Sequence, residues 1–242
     1  LELVKGLAAR PEVEKVELIT RLIIDRRVSA DYSQPIEKIS SCAEIIRLPF
    51  GPKRYIRKEL LWPYLDDLAD QVVQRLQNAS HLPDWIHAHY ADAGYVGALV
   101  GRRLGLPLVF TGHSLGREKL RRLLAAGIDH DQIEQTYSIS KRIDAEELAL
   151  AHSNLLITST KQESEEQYAR YGRFSKDNVE IIPPGVDLNR FHSIGSNLKN
   201  EEKDLNQLFK PFLRDVDLPP LLAISRAVRR KNIPALIETY GR

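Results

Sequence analysis

Polar and small residues follow two predicted strands, at the points where a parallel α/β sheet binds its ligands. His89 and Tyr90 come at the end of the strand-like run DWIHAH, and Gly112, His113 and Ser114 come directly after PLVFT. In open α/β sheets, ligands bind beyond the carboxyl ends of the strands. Backbone amides at the start of the next helix favour anionic oxygens. The spacing therefore indicates an anion site, although GHS alone is equally typical of a turn with a hydrogen-bonded structural histidine.

The composition limits the classes of protein to which the chain could belong. Its 242 residues are 43% hydrophobic, enough for one large α/β domain or for one domain and part of another. The formal net charge of +2 provides no global field for a nucleic acid or a membrane surface. The single cysteine, Cys42, excludes an internal disulfide, and no apolar run is long enough for a bilayer span or a signal peptide. We therefore expect a protein of the reducing cytoplasm.

Several common catalytic fingerprints are missing. The sequence has no Walker loop, no GxGxxG, no Cys/His cluster for a metal and no evident pair of catalytic carboxylates. Asp92 could act as a base but is interpreted mainly as a turn former. The chain contains no methionine and opens within an amphipathic helix, so we expect it to be a fragment.

The hydrophobic patterns alternate between strand and helix. Strands are predicted in 13–23, 43–50, 84–89, 107–111, 154–160 and 179–182, with a loop between the first two and small-residue turns after 84–89 and 107–111. Helices are predicted in 1–10, 58–79, 94–105, 131–150 and 161–172. The last of these opens with a capping signal, Ser159 or Thr160 followed by Glu163. The alternation predicts an α/β fold, a Rossmann-like parallel sheet with helices on both faces.

A long polar stretch predicts a domain boundary. It runs from 190 to 217 and precedes a new strand, PPLLAISR, and a new helix, IPALIETYG. We therefore predict one domain in 1–189, an interdomain segment in 190–217 and the first strand and helix of a second Rossmann-like domain in 218–242.

Five motifs in one order carry a family resemblance. HAHYADAG, GHSLGREKL, KRIDAEEL, ITSTKQE and IIPPGVD together resemble the sucrose-phosphate synthase family of retaining GT-B glycosyltransferases. The resemblance runs from Leu1 to Arg242. It implies an acceptor-binding amino-terminal domain, without its first strand and glycine-rich loop, and the start of a donor-binding domain. It also implies that the isolated chain is inactive, because the acceptor loop and the acidic donor-sugar motif of the family lie outside it.

The resemblance assigns an acceptor site for fructose 6-phosphate. The residues that match the family's phosphate and sugar contacts are Lys58, Tyr90, Ser114, Lys119 and Arg142. Lysine and arginine hold phosphate through charge and forked hydrogen bonds. From the residues alone, however, Lys58 could be a solvated lysine, and Arg142 could pair along its helix with Asp144, Glu146 or Glu147.

The resemblance also assigns catalytic and donor-binding residues. His113 would lie beside the reacting glucose and help it through its backbone carbonyl, while Arg226 and Lys231 would grip the diphosphate of UDP-glucose. The segment SRAVRRKN departs from the family's usual SRPDPKKN-like form but keeps both outer cations. The implied reaction is retaining transfer of glucose to the 2-hydroxyl of fructose 6-phosphate, giving sucrose 6-phosphate, with no cofactor and no essential metal. A sucrose-phosphate phosphatase domain or partner could accompany it.

Alternatives to this reading remain open. A mannosylfructose-phosphate synthase would use the same acceptor with GDP-mannose, and a sucrose synthase would use unphosphorylated fructose. A sugar-phosphate-binding or regulatory module would lack turnover altogether. A nucleic-acid patch is disfavoured because no aromatic surface or base-reading motif accompanies its cations, which are Arg226, Arg229, Arg230 and Lys231.

Overall fold

The computed structural model describes residues 1–188, 191, 207–215, 218, 221–228 and 231–240. The chain divides into two compact units, Leu1–Pro184 and Gly185–Arg242. The boundary predicted in 190–217 stays a prediction, because most of that segment lies outside the described residues, as do Arg229 and Arg230.

A four-stranded parallel sheet forms one part of the first unit. Its strands are β4 (Ile86–His89), β5 (Leu108–Thr111), β6 (Ser153–Thr158) and β7 (Val179–Ile181), and they are hydrogen-bonded in that order. The crossovers contain α3 (Tyr90–Leu104), α4 (Gly116–Ala125), α5 (His130–Tyr137) and α6 (Ile139–His152). Parallel neighbours need such crossovers, and helix cover explains why their strands are short apolar runs. The predicted parallel α/β architecture is confirmed.

A second, three-stranded sheet precedes it in the chain. Here β1 (Val16–Arg21) pairs in parallel with β3 (Ala43–Leu48), and β2 (Ile36–Lys38) pairs antiparallel with β3. The helix α1 (Glu2–Ala8) precedes β1. Two short 3-10 turns, Lys58–Leu60 and Trp62–Tyr64, lead into α2 (Leu65–Gln77). The single predicted sheet is thus divided into two hydrogen-bonded sheets.

The prediction that the segment between the first two strands is a loop was wrong in part. This stretch contains β2 and a 3-10 turn at Ala30–Ser33. The strand escaped notice because polar side chains stabilise it: Arg47 on β3 is 6% exposed and its guanidinium lies 2.5 Å from the Glu37 carboxylate on β2. A half-buried ion pair between strands gives no alternation of apolar residues that would reveal the strand in the sequence.

The long helix predicted for 131–150 is broken into α5 and α6. The break lies at Ser138, whose φ of +46° places it in the left-handed region. The Glu134 carboxylate accepts hydrogen bonds from the backbone N–H of Ser140, at 2.9 Å, and from its hydroxyl, at 2.8 Å. The first helix therefore caps the second, a pairing that periodicity cannot reveal.

The capping signal before residue 161 is confirmed. Thr160 Oγ1 accepts from the Glu163 N–H at 3.1 Å, and the Glu163 carboxylate accepts from the Ser159 N–H at 2.8 Å. The segment after it is less regular than predicted, a π-turn at Glu163–Gln167 and a 3-10 turn at Tyr168–Arg170. The irregular winding places Tyr168 and Tyr171 in the protein interior, where both are buried.

The second unit contains the helix α7 (Ile233–Tyr240), as predicted. The strand predicted for PPLLAISR does not form in the described part of that run, 221–226. The physical reason is a lack of partners, since the described residues of this unit contain no other strand with which it could share hydrogen bonds.

Candidate functional site

A pocket in the first unit collects side chains from segments far apart in the sequence. Its position agrees with the predicted edge of the sheet, because Tyr90 directly follows β4 and α4 follows β5. Four of the five predicted acceptor residues line it, and the fifth, Ser114, contacts one of them, Arg142. The lining residues are Lys58, Glu59, Trp62, Tyr90, Asp92, Lys119, Tyr137 and Arg142.

Tyr90 contacts two of the predicted cations. Lys58 Nζ is 2.5 Å from the Tyr90 hydroxyl and 4.1 Å from the ring centroid, and the Arg142 guanidinium carbon is 4.6 Å from the same centroid. Cations over an aromatic face are attracted by its quadrupole. Tyr90 begins α3 at a φ of +76°, so the turn predicted after β4 is absent and the helix starts at once. A bulky residue at this φ is strained, and strain of this kind concentrates at binding sites.

Lys119 brings a third positive charge into the pocket. Its Nζ lies 3.4 Å from the centroid of the Tyr137 ring. Burial lowers the pKa of Lys119 to about 8, and the charges of Arg142 and Lys58 act in the same direction. Neither Lys58 nor Lys119 forms a salt bridge with any described residue. Two carboxyl residues, Glu59 and Asp92, also line the pocket, and burial raises the pKa of Asp92. Lys58 and Lys119 therefore offer positive charge that an anion can neutralise.

The lowered pKa of Lys119 predicts a pH-dependent affinity for phosphate. The ammonium loses its proton as the pH rises through about 8, so the affinity for a sugar phosphate should fall between pH 7 and 9.5. Phosphate monoesters are already dianionic above pH 7 and do not change charge in this window. Calorimetric titration across the range measures the effect. In Lys119→Arg, whose guanidinium stays charged, the decline should disappear; an equal decline there would contradict the assignment.

The turn between β5 and α4 is held by buried groups of the protein itself. The Gly112 N–H donates to the Tyr168 hydroxyl at 2.8 Å, and the Arg117 N–H donates to the Tyr171 hydroxyl at 3.0 Å. The Gly116 N–H donates to the Glu146 carboxylate at 2.8 Å. The expectation that amides at this helix start would bind a ligand anion is therefore wrong for Gly116 and Arg117, because their donors are already used.

Arg142 combines both of the roles proposed for it from the sequence. It is 4% exposed, and its Nε donates to Glu146 at 3.0 Å, so it does pair along its helix. Its Nη2 donates to the Ser114 carbonyl and lies 3.3 Å from the Ser114 hydroxyl. The same side chain lines the pocket. Burial raises the pKa of Glu146, and the charge of Arg142 acts against that rise.

Substitution of Gly112 should destabilise the protein. A Cβ at this position would lie 2.5 Å from the Tyr168 hydroxyl oxygen and 2.7 Å from a Leu115 methyl group. Both neighbours are buried, so Gly112→Ala should lower the free energy of unfolding by about 1–3 kcal/mol through overpacking. Urea denaturation measures the loss. Gly127→Ala is a poor control because its φ is +77°, whereas Gly6→Ala lies on α1, meets open space and should not lower stability. Equal stability of the Gly6 and Gly112 variants would contradict the packing argument.

His113 belongs to a row of three imidazoles. Its φ is +59°, its side chain is exposed, and its Nε2 lies 2.8 Å from His89 Nδ1. The His87 and His89 ring centroids are 4.1 Å apart, and His87 Nε2 lies 3.0 Å from Thr111 Oγ1. Burial lowers the pKa of His87 to about 4 and also lowers the pKa of His89. Burial therefore favours the neutral form of His87 and His89, and His89 is the imidazole that contacts His113.

These partners of His113 and four of the pocket residues were not predicted from the sequence. The signal for the histidines was the H-x-H spacing of 87 and 89 on one strand, which points alternate side chains to the same face. Asp92 was wrongly interpreted as a turn former. It lies in the first turn of α3, where its Oδ1 accepts from the Ala93 N–H at 2.9 Å, and burial raises its pKa. No local pattern distinguishes Glu59, Trp62 and Tyr137 from ordinary surface residues.

The predicted donor-binding cations lie in the second unit. Arg226 and Lys231 are both exposed; the Val228 N–H donates to the Arg226 carbonyl at 2.8 Å, and the Lys231 N–H donates to the Val228 carbonyl at 2.9 Å. Their role as diphosphate ligands stays a prediction. Among the residues that the structure describes, no three His, Cys, Asp or Glu side chains are grouped to hold a metal ion.

A family model described as the sucrose synthase first GT-B domain matches residues 3–191. The chain belongs to this family of GT-B domains. Its sequence is 34% identical to sucrose-phosphate synthase from Spinacia oleracea and 34% identical to sucrose-phosphate synthase 1 from Arabidopsis thaliana, in each case over the whole chain. The chain spans 28% and 29% of the length of these two relatives.

A solved structure supports the fold of this GT-B domain. A sucrose-phosphate synthase from Thermosynechococcus elongatus superposes with a TM-score of 0.72 and 23% identity, over 99% of this chain and 52% of the other. Within the described ranges of the chain, no helix has the length and apolar character required to cross a membrane.

Proposed function

We propose that the GT-B domain binds the acceptor in a sucrose-phosphate synthase, which transfers glucose from UDP-glucose to fructose 6-phosphate with retention at the anomeric carbon. The observation that carries this proposal is the convergence of Lys58, Lys119 and Arg142 on one pocket. Three cations converging on a small site are suited to a phosphate dianion, through charge and directed hydrogen bonds. The curated relatives named above support the same reaction.

The roles of the pocket residues follow from their positions. Lys58, Lys119 and Arg142 neutralise the phosphate of the acceptor. The Tyr90 and Ser114 hydroxyls contact Lys58 and Arg142 and provide polar groups for the sugar. In this scheme most of the catalytic effect comes from positioning, because the acceptor hydroxyl is held where the anomeric carbon will lie.

The donor side of the proposal rests on the family resemblance. Arg226 and Lys231 would neutralise the diphosphate as the bond from the anomeric carbon to the phosphate oxygen breaks and UDP leaves. His113 would support the reacting glucose, with its backbone carbonyl near the positive charge that develops there. The scheme uses no cofactor and no essential metal. We also propose that the reaction takes place in the cytoplasm and that a sucrose-phosphate phosphatase domain or partner consumes the product.

Sucrose synthase is the second candidate, because the matching family model carries its name. That enzyme would take unphosphorylated fructose, and the positive charges of Lys58 and Lys119 would then have no counterpart in the acceptor. Mannosylfructose-phosphate synthase would keep the phosphate but change the donor to GDP-mannose. The acceptor pocket itself does not discriminate between the two donors.

Product analysis with the enzyme that contains this chain tests the proposal. UDP-glucose and GDP-mannose are each supplied with fructose 6-phosphate and with fructose, and the disaccharide products are separated by chromatography. We expect sucrose 6-phosphate to be the dominant product, formed from UDP-glucose and fructose 6-phosphate. Preferential formation of sucrose from fructose would identify a sucrose synthase. Formation of a mannosyl product from GDP-mannose would identify a mannosylfructose-phosphate synthase.

A further inference from the structure

Glu146 is a buried carboxylate that has no role in binding in the mechanism proposed above. It lies on α6 and its side chain has no solvent exposure. An ionised carboxylate is tolerated in such a place only when it is paired and fully hydrogen-bonded. Glu146 meets this condition with three partners: the Arg142 Nε at 3.0 Å, the Gly116 N–H at 2.8 and 3.1 Å, and the Tyr171 hydroxyl, which donates to Oε2.

These bonds connect the pocket to the turn between β5 and α4. One partner, Arg142, also holds the Ser114 carbonyl and lies over the Tyr90 ring. Another, Tyr171, accepts from the Arg117 N–H at 3.0 Å. The carboxylate is thus joined to residue 116 directly and, through these two partners, to residues 114 and 117 of the turn. Buried networks in which every group is satisfied fix one arrangement of their members.

The network leaves part of Arg142 available for a ligand. Its Nε and Nη2 are used internally, whereas its Nη1 has no partner among the described residues. The guanidinium is planar and rigid, so two fixed nitrogens determine where the third lies. Arg142 lines the pocket, and the third nitrogen is therefore the donor that remains for a bound phosphate.

We propose that Glu146, supported by Tyr171, is a positioning residue of the acceptor pocket. It orients the Arg142 guanidinium and the 112–117 turn for a sugar phosphate and does not itself touch the ligand. This inference rests on the proposed function, since it assumes that the pocket receives a sugar phosphate. A positioning role differs from simple fold support because it predicts a change in ligand selectivity.

Loss of the Glu146 charge should change which anions the pocket binds, because it alters both the charge balance and the orientation of Arg142. Removing the carboxylate charge leaves the Arg142 cation without its ionic partner and free to turn. A small symmetric anion such as inorganic phosphate can follow a mobile guanidinium, so its affinity should not fall. A sugar phosphate must place its phosphate and its hydroxyls together, so its affinity should fall.

Glu146→Gln tests the proposal, with Glu147→Gln as a matched control on the next residue. Glu147 holds Arg117, at 2.7 Å, and the Gly172 N–H, at 3.0 Å, but does not contact Arg142. Each variant of the chain is titrated by calorimetry with fructose 6-phosphate and with inorganic phosphate, and its unfolding is measured separately. We expect Glu146→Gln to weaken fructose 6-phosphate binding by about tenfold, the effect of losing one directed charged hydrogen bond, with inorganic phosphate affinity not reduced. Glu147→Gln should leave both affinities unchanged even where it lowers stability.

If Glu146→Gln does not fold, Tyr171→Phe is titrated in its place. It keeps the carboxylate and the arginine and removes one hydroxyl, so fructose 6-phosphate affinity should fall by a smaller factor of about three. Unchanged fructose 6-phosphate affinity in a folded Glu146 variant would overturn this inference alone. The inference would also be overturned if Glu146→Gln lost affinity for fructose 6-phosphate and for inorganic phosphate equally. It would likewise be overturned if Glu147→Gln lost as much affinity for fructose 6-phosphate as Glu146→Gln does. Failure of the unaltered chain to bind fructose 6-phosphate would instead count against the proposed function.

Discussion

Lys58→Ala should weaken the binding of fructose 6-phosphate to the chain by about tenfold to a hundredfold, as expected for the loss of a charge-assisted contact. Lys58 forms no salt bridge in the described part of the chain and its Nζ rests against Tyr90 at the rim of the pocket. The affinity for unphosphorylated fructose should change little, because the lysine acts on the phosphate. Isothermal titration calorimetry with both sugars measures the two affinities.

A nearby lysine provides the control for Lys58. Lys53→Ala removes the same charge from an exposed position five residues earlier, outside the pocket lining. It should leave the affinity for fructose 6-phosphate nearly unchanged at physiological ionic strength, where distant surface charges are screened. Equal losses in the two variants would mean that binding depends on general surface charge. The pocket assignment would then be wrong.

Arg142→Ala should lower the free energy of unfolding by about 3–5 kcal/mol, as is typical when one partner of a buried ion pair is removed. Glu146 would keep its buried carboxylate and lose its only cationic partner within salt-bridge distance among the described residues. The loss of the bond to the Ser114 carbonyl would also release the turn that carries His113. Urea denaturation followed by circular dichroism measures this change.

Two further variants make the Arg142 measurement specific. Lys141→Ala removes an exposed cation from the adjacent position and should change stability by less than about 0.5 kcal/mol. The double variant Arg142→Ala with Glu146→Gln should lose less stability than the sum of the two single variants, because the unpaired charge is removed together with its partner. An Arg142→Ala variant as stable as Lys141→Ala would contradict the described pair. A double variant whose loss of stability equals the sum of the two single losses would also contradict the Arg142–Glu146 pair.

The arrangement of the elements could be predicted from local patterns, but the contacts between distant residues could not. Apolar runs between turn signals located the four strands of the parallel sheet because helices cover them. The strand β2 and the helix break at Ser138 depend on Glu37 and Glu134 finding partners elsewhere in the fold. Such pairings leave no periodic trace in the sequence.

The candidate site illustrates the same limit. Lys58 and Arg142 are 84 positions apart, and only the family resemblance placed them in one site before the structure did. The resemblance named the residues expected to touch the ligand but not those that hold them, such as Glu146 and Tyr171. It also could not show that the amides of Gly116 and Arg117 are occupied by the protein's own side chains.

Calorimetric titration of the unaltered chain with fructose 6-phosphate, fructose and inorganic phosphate tests the central claim most directly. The account predicts that fructose 6-phosphate binds more tightly than either of the other two, since the pocket offers three cations to the phosphate and polar groups to the sugar. If fructose binds as tightly as its phosphate, or inorganic phosphate as tightly as fructose 6-phosphate, the pocket is not the sugar-phosphate site described above.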